Sequence, residues 1–192
     1  MNARRWTAGL LAAVTTVALA GCSSQSREDA CGTNSEGVIE CAPDERSAAP
    51  KISGELLTGG SHDVAKDRGQ VVVVNFWGSW CNPCRAEADD LENTYQATKG
   101  SGVTFLGVNI QDSRDKAIAF EERFGVTYPS LFDPPSRVAL ALDIPPNTIP
   151  ATIVLDRDGR IAAVIRAAVR QEGLQPIVER IAAEQSAPNG SR

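Results

Sequence analysis

Residues 71–84 read VVVVNFWGSWCNPC, and this stretch decides the fold. A continuous β-branched run without polar alternation is typical of a strand that is buried on both faces of a mainly parallel sheet. Two cysteines, Cys81 and Cys84, come directly after the strand, and residues 83–98 continue with helical periodicity. The sequence therefore predicts a strand, a turn that carries Cys-Asn-Pro-Cys, and a helix that begins at that turn.

The chain beyond this stretch continues to alternate between strands and helices. Further strands are predicted over residues 103–110, 151–156 and 160–169, the last two joined by the Asp-Arg-Asp-Gly turn at 156–159. Helices are predicted from a cap at Asp112 or Ser113 to Gly125, after Pro134-Pro135 with Val138 and Leu142 inward, and around Leu174, Ile177, Val178 and Ile181. This order predicts a three-layer α/β domain.

The first 21 residues have the features of an export signal. Arg4 and Arg5 precede an apolar stretch, and residues 19–22, LAGC, resemble the lipobox of bacterial lipoproteins, which implies that Cys22 accepts a lipid. A plain secretory peptide and an uncleaved anchor are the alternatives, although the apolar stretch is short for a spanning helix. Each alternative places the folded part outside the cytoplasm, where disulfides persist.

The rest of the chain divides by composition. Residues 22–50 are rich in Ser, Glu, Asp, Ala and Pro, a composition that predicts a flexible tether. Residues 51–184 are predicted to form the globular domain, and residues 185–192 a disordered tail. Cys31 and Cys41 lie in the predicted tether, and the sequence leaves open whether they pair.

Composition excludes several classes of function. The chain has 192 residues, 42% of them hydrophobic, and a net charge of −5, which disfavours the binding of phosphate backbones, so no nucleic-acid partner is predicted. His62 is the single histidine, so a zinc site of the HExxH type is absent from the sequence. Neither a metal nor a cofactor is predicted.

The two cysteines have different predicted roles. At a helix N-terminus the macrodipole lowers the pKa of a thiol below about 8.5, which makes Cys81 the attacking sulfur. Cys84 shares one apolar helical stripe with Ala88, Leu91 and Tyr95 and is expected to face the core. A buried second thiol within reach of Cys81 suits the resolution of a mixed disulfide.

Glu87 is the carboxylate beside this pair. A partly buried carboxyl group there has a raised pKa and can move a proton to or from Cys84. The alternative is a surface glutamate that only favours the helix dipole, and helical geometry alone does not choose between them.

Residues 73–87, VVNFWGSWCNPCRAE, resemble the active-site segment of the extracytoplasmic thioredoxin-like proteins of the ResA and TlpA type. The resemblance implies a thioredoxin-like three-layer sandwich with an N-terminal β-hairpin, here residues 51–68, and a central helix–strand insertion, here residues 128–143. It also implies a membrane-tethered thiol:disulfide oxidoreductase, and many such proteins serve cytochrome c maturation.

The same resemblance implies the substrate-binding residues. Pro150 matches the family's cis-proline, and the backbone of Ile149 before it would bind an extended substrate strand beside Cys81. Trp80 would shield Cys81 and shape the docking groove, whereas Trp77 is expected to pack in the interior.

Two positions depart from the usual pattern. Many thioredoxins carry a buried aspartate where this chain has Asn75, and the resemblance to the group that uses a helix glutamate favours Glu87 as its replacement. Ala167-Ala168 stands where a glycine is often found, so the surface near the active site is expected to differ from that of the family.

These observations predict a lipid-anchored thiol:disulfide oxidoreductase on the extracytoplasmic face of a bacterial membrane. By resemblance its substrates are disulfides of exported proteins such as apocytochrome c, and a membrane thiol-disulfide donor supplies its electrons. The alternatives are an oxidant that forms disulfides in secreted proteins and a non-enzymatic binding lipoprotein in which Cys81 and Cys84 form a structural disulfide. Asn82-Pro83 does not reveal the direction of electron flow.

Overall fold

A computed structural model of the protein describes residues 31–184. The predicted signal at residues 1–21, the predicted lipid acceptor Cys22 and the predicted tail at 185–192 lie outside the described residues. Within residues 31–184, no helix is long and apolar enough to cross a membrane.

Within residues 31–184, nine strands form one large sheet and one small hairpin. They are β1 (Cys31–Thr33), β2 (Ile39–Cys41), β3 (Ser53–Glu55), β4 (Ser61–Asp63), β5 (Val71–Trp77), β6 (Val103–Ile110), β7 (Ser130–Asp133), β8 (Ala151–Leu155) and β9 (Ile161–Ile165). The large sheet has the order β1-β2-β9-β8-β5-β6-β7, and β3 pairs with β4. The sheet is mixed, because β5, β6 and β7 are parallel whereas β8 and β9 are antiparallel to their neighbours.

In the described part of the chain, four α-helices cover the sheet: α1 (Asn82–Thr98), α2 (Arg114–Phe124), α3 (Arg137–Ala141) and α4 (Gln171–Ala183). Alternate residues of β5 point to opposite faces, so Val71 and Val73 pack in one apolar cluster with α1 and α4, and Val72 and Val74 in another with α3. The predicted three-layer α/β sandwich is confirmed, with helices on both faces of the sheet.

The described elements agree closely with the sequence prediction. The hairpin β3–β4 lies within residues 51–68, and β7 and α3 lie within residues 128–143. The last strand is shorter than predicted: β9 ends at Ile165 rather than continuing to residue 169. Ile165 pairs with Thr152 near the start of β8, so the partner strand ends there, and the backbone N–H of Val169 donates to the Glu87 side chain of α1.

The prediction of a flexible tether is wrong for residues 31–50. Strands β1 and β2 form a hairpin, and β2 pairs with β9 and extends the large sheet. A Cys31–Cys41 disulfide joins the two strands, which answers the question that the sequence left open. Val38 between them is buried in the apolar cluster of α1 and α4.

Arg46 fixes the segment that follows this hairpin. It is only 7% exposed, and its guanidinium donates to Glu184 at 2.5 and 2.9 Å and to Asp156 at 3.3 Å. Its Nε also donates to the carbonyl of Cys41 at 3.1 Å. One buried cation therefore ties the N-terminal segment to the end of β8 and to the residue after α4.

Candidate active site

The two cysteines occupy the first turn of α1, where the strand–turn–helix segment was predicted. Strand β5 ends at Trp77, and Cys81 is the N-cap of α1, with Pro83 at the start of the helix. The backbone N–H of Cys84 donates to Sγ of Cys81 at 3.2 Å. The sulfur of Cys81 thus takes the place of the capping oxygen found at most helix starts, and it lies where the helix dipole favours negative charge.

Burial alone does not distinguish the two sulfurs. They are joined as a disulfide, and Cys81 is 4% and Cys84 2% exposed. The expectation that Cys84 faces the core is confirmed, but Cys81 is equally enclosed in this oxidised form. The difference between them is the amide hydrogen bond that Cys81 accepts, since such a bond favours the charged form of a thiol.

The loop before β8 meets the cysteines from the other side. The Ile149–Pro150 peptide bond is cis, as the family resemblance implies. The carbonyl oxygen of Ile149 lies 3.8 Å from Sγ of Cys81. The structure therefore brings Cys81, Ile149 and Pro150 together, although they are far apart in the sequence.

Glu87 lies one turn after the cysteines and is fully buried. Its Oε1 accepts a hydrogen bond from Nδ2 of Asn75 at 2.9 Å, and its Oε2 accepts one from the backbone N–H of Val169 at 2.9 Å. Burial raises the pKa of Glu87 to about 7, although both hydrogen bonds act in the opposite direction. The alternative of a surface glutamate is therefore wrong.

Asn75 connects this carboxyl group to the sheet. Its Nδ2 also donates to Oγ1 of Thr152 on β8 at 3.1 Å, and all three side chains are buried. The position that carries an aspartate in many thioredoxins here carries a neutral donor, which can hold Glu87 in place when that carboxyl group is ionised.

The two tryptophans beside the site differ in burial, as the sequence predicts. Trp77 is buried and stacks on Phe120 with ring centroids 4.5 Å apart, so the packing prediction is confirmed. Trp80 is 47% exposed, and its Nε1 donates to the carbonyl of Gln111 at 3.0 Å. A Cβ on Gly78 would lie 2.7 Å from that Nε1, so glycine is needed for the ring to lie there. The proposed shielding of Cys81 by Trp80 stays a prediction.

Two residues that hold the turn before Cys81 were not identified from the sequence. The Asp112 carboxylate accepts hydrogen bonds from the backbone N–H of Ser79 at 2.6 Å and from its hydroxyl at 2.9 Å. The guanidinium of Arg85 donates twice to the carbonyl of Ser79, at 2.9 and 2.6 Å. The sequence predicts for Asp112 only a helix cap, because no sequence signal relates it to a residue 33 positions away.

The arrangement is suited to thiol–disulfide exchange. It combines a sulfur at a helix N-terminus, a second sulfur within bonding distance, and a buried carboxyl group with a pKa about neutral. These are the parts that a nucleophile, a resolving thiol and a proton carrier require.

Comparison with known proteins gives a consistent result. The model of the AhpC/TSA family matches residues 46–164. The thiol-disulfide oxidoreductase ResA of Geobacillus kaustophilus is 33% identical over 135 residues, which cover 70% of this chain and 76% of the relative. The thiol:disulfide interchange protein DsbE of Allochromatium vinosum is 37% identical over 139 residues, which cover 69% of this chain and 74% of the relative.

A solved structure extends the similarity to the whole fold. The secreted thiol-disulfide isomerase from Corynebacterium glutamicum superposes with a TM-score of 0.74 and 35% sequence identity, covering 80% of this chain and 96% of the other. The likeness therefore covers more of the chain than the segment that the family model matches.

Proposed function

Because the chain belongs to the AhpC/TSA family and is a thiol-disulfide oxidoreductase of the ResA and DsbE type, we propose that Cys81 and Cys84 are its redox-active pair. This membership displaces the interpretation as a non-enzymatic binding lipoprotein. The observation that carries the assignment is the hydrogen bond from the Cys84 N–H to Sγ of Cys81, because an amide donor at a helix N-terminus stabilises the thiolate form of that sulfur.

The exchange proceeds in two steps with Cys81 first. In the reduced protein the thiolate of Cys81 attacks a disulfide of the partner, forms a mixed disulfide and releases one partner sulfur as a thiolate. Cys84 then attacks the sulfur of Cys81, which restores the Cys81–Cys84 disulfide and releases the second partner sulfur. Each step forms one S–S bond and breaks another, and two electrons pass to the partner.

Glu87 handles the proton of the second step. Cys84 must lose its proton before it attacks, and Glu87 lies three residues further along the same helix, where side chains are neighbours. A carboxyl group with a pKa of about 7 is partly ionised at neutral pH, so it can take up this proton and return it when the reaction runs in reverse. Asn75 keeps the carboxyl group oriented in both states.

The partner polypeptide binds beside Cys81. The backbone of Ile149, with its carbonyl oxygen 3.8 Å from Sγ of Cys81, and the cis bond to Pro150 form the seat for an extended segment of the partner. Trp80, which is 47% exposed and directly precedes Cys81 in the chain, is proposed to shape the surface that the partner contacts.

The cellular role that fits best is the reduction of disulfides in exported proteins. We propose that a lipid on Cys22 anchors the protein to the extracytoplasmic face of the membrane, and that a membrane thiol-disulfide donor reduces it. Apocytochrome c is the proposed substrate, by the resemblance of residues 73–87 to proteins of cytochrome c maturation.

A trap variant tests both the pair and the substrate. Cys84→Ser in the full-length protein, expressed in its own cell envelope, should accumulate mixed disulfides on Cys81 that mass spectrometry identifies. The double variant Cys81→Ser/Cys84→Ser is the matched control and should trap nothing. Recovery of c-type apocytochromes supports the reductase, a spread of other secreted proteins supports an oxidant instead, and an empty trap contradicts the assigned pair.

A further inference from the structure

A groove beside the cysteine pair carries positive charge on a protein that is acidic as a whole. It runs between the start of α1 and the outer face of α2, and its lining includes Ser79, Arg85, Lys116, Phe120, Arg123 and Phe124. The net charge of the chain is −5, so a groove that presents three cations departs from the general character of the protein.

The three cations of the groove have no ion-pair partner among the carboxylates of residues 31–184. Arg85, Lys116 and Arg123 are exposed, and within residues 31–184 none of them forms an ion pair with a carboxylate. The two hydrogen bonds of Arg85 go to the carbonyl of Ser79, which fixes the guanidinium at the rim and leaves its charge uncompensated.

Among the hydrogen bonds of residues 31–184, Asp112 is the carboxylate that accepts from a residue of the groove, and its oxygens already have several donors. Asp112 accepts hydrogen bonds from the N–H and hydroxyl of Ser79, from Nδ2 of Asn109 and from the N–H of Ser113. Its oxygens face these four donors, so Asp112 does not supply the missing partner for Lys116 or Arg123.

The floor of the groove is apolar and continuous with the redox site. Phe120 is buried in one cluster with Trp77, Cys81 and Cys84, and Phe124 packs on it with ring centroids 4.6 Å apart. A ligand of the groove therefore meets aromatic rings below and cations at the rim.

We infer that this groove docks an acidic segment of the protein that exchanges disulfides with Cys81, and that an apolar side chain of that segment lies on Phe120 and Phe124. The inference rests on the proposed function, because it takes the occupant to be the reacting partner. Complementary charge beside a reacting group steers encounter and raises the association rate by about 10-fold to 1,000-fold at low salt.

Two peptide substrates test the inference. Both peptides carry one cysteine as a mixed disulfide with the same thionitrobenzoate leaving group, and both have one phenylalanine. In the acidic peptide aspartates and glutamates flank the phenylalanine, and in the neutral peptide asparagines and glutamines replace them. Stopped-flow absorbance gives the second-order rate constant for each with the reduced protein. We expect the acidic peptide to react about tenfold faster at low salt. The ratio should fall towards one in high salt, where the Debye length shortens to about 3 Å.

Charge reversal at the groove supplies the matched comparison. Lys116→Glu/Arg123→Glu should abolish the acidic-to-neutral ratio or invert it. Lys66 is an exposed lysine that precedes β5, at the end of the strand opposite the cysteines. Lys66→Glu should leave the acidic-to-neutral ratio as in the wild-type protein. Lys116→Glu alone makes the same change of charge inside the groove and is compared with it.

The outcomes separate this inference from the proposed function. If the wild-type protein reacts equally with both peptides, or if the double variant keeps the acidic preference, docking of an acidic segment in the groove is contradicted. The assignment of the redox-active cysteine pair is unaffected by either result. A wild-type protein that reacts with neither peptide contradicts the cysteine pair itself.

Discussion

The side-chain amide of Asn75 donates a 2.9 Å hydrogen bond to the buried carboxyl group of Glu87, twelve residues further along the chain. The bond joins the central strand β5 to the active-site helix α1, and the same amide nitrogen reaches Thr152 on β8. A neutral donor at position 75 tolerates an ionised Glu87, whereas a carboxyl group there would compete with it. One carboxyl group and one amide thus form the polar centre of the site.

Asn75→Asp should destabilise the protein in a pH-dependent way. Two carboxyl groups about 3 Å apart cannot both be ionised, so we expect a loss of about 2 to 4 kcal/mol in the free energy of unfolding at pH 8. The loss should be smaller at pH 5, where a protonated carboxyl group can donate the hydrogen bond. Asn75→Ala removes the amide without adding charge and should lose stability about equally at both pH values. Equal losses for Asn75→Asp at pH 5 and 8 would contradict the expectation.

Glu87 should make the oxidised protein less stable as the pH rises from about 4.5 to 7. An ordinary glutamate carboxyl group has a pKa of 4.5, whereas Glu87 in the folded protein has a pKa of about 7. Between these pH values the folded state therefore binds more protons than the unfolded state. The stabilisation is complete below pH 4.5 and is lost above pH 7, a difference of about 3 kcal/mol. Denaturant unfolding of the oxidised protein between pH 4.5 and 8 measures it.

Glu87→Gln should remove this component of the pH dependence. The amide keeps the volume and one acceptor oxygen, so the fold is expected to survive the change. Asp89→Asn, on an exposed position of the same helix, is the matched control and should keep the wild-type slope. A Glu87→Gln variant with an unchanged slope would show that another group titrates in this window.

The same variant should slow the release of the partner. General acid–base catalysis contributes about 100-fold to 10,000-fold, so without a proton acceptor the attack of Cys84 on the mixed disulfide should slow by at least about 100-fold at pH 7. Acid-quenched samples would show the mixed disulfide on Cys81 accumulating. Asp89→Asn should release its partner at the wild-type rate, and an equally rapid release by Glu87→Gln would exclude Glu87 as the proton carrier.

The central part of the fold and the cysteine pair are predictable because their signals are local. Four consecutive valines indicate the buried strand, and the cysteines and helical stripe follow within a few residues. The environment of Glu87 is not local: the N–H that binds its Oε2 belongs to Val169, 82 residues away. The helical pattern therefore leaves two interpretations open, and contacts with β5 and with the loop after β9 decide between them.

The N-terminal segment was missed for a related reason. Residues 31–50 contribute Val38 to a core cluster, and their polar composition is typical of a linker. These residues are ordered by the pairing of β2 with β9 and by the hydrogen bonds of Arg46. Its partners, Asp156 and Glu184, follow it by 110 and 138 positions in the sequence. Backbone pairing and buried ion pairs leave no pattern in nearby sequence.

Arg46→Ala should cost about 3 kcal/mol in the free energy of unfolding. The change removes the buried cation that the carboxylates of Asp156 and Glu184 share, and removal of one partner of a buried pair costs about 3 to 5 kcal/mol. Partial exposure of Glu184 places the expected loss at the lower end. Arg137→Ala, on an exposed position of α3, should change stability by less than about 0.5 kcal/mol. A loss below 1 kcal/mol for Arg46→Ala, measured in guanidinium chloride, would contradict the structural role.

Cys31→Ser/Cys41→Ser should loosen the N-terminal hairpin and leave the redox site intact. The disulfide closes a loop of about eleven residues, worth about 3 kcal/mol in the chain-entropy model, and Cys31 and Cys41 are directly opposed in the β1–β2 pair. Hydrogen exchange should show the amides of β2 losing about 100-fold in protection, since 1.36 kcal/mol corresponds to a factor of ten. The amides of β5 serve as the internal control, because the central strand opens only with the whole domain. Unchanged protection in β2, or an equal loss in β5, would contradict a disulfide that stabilises only the N-terminal hairpin.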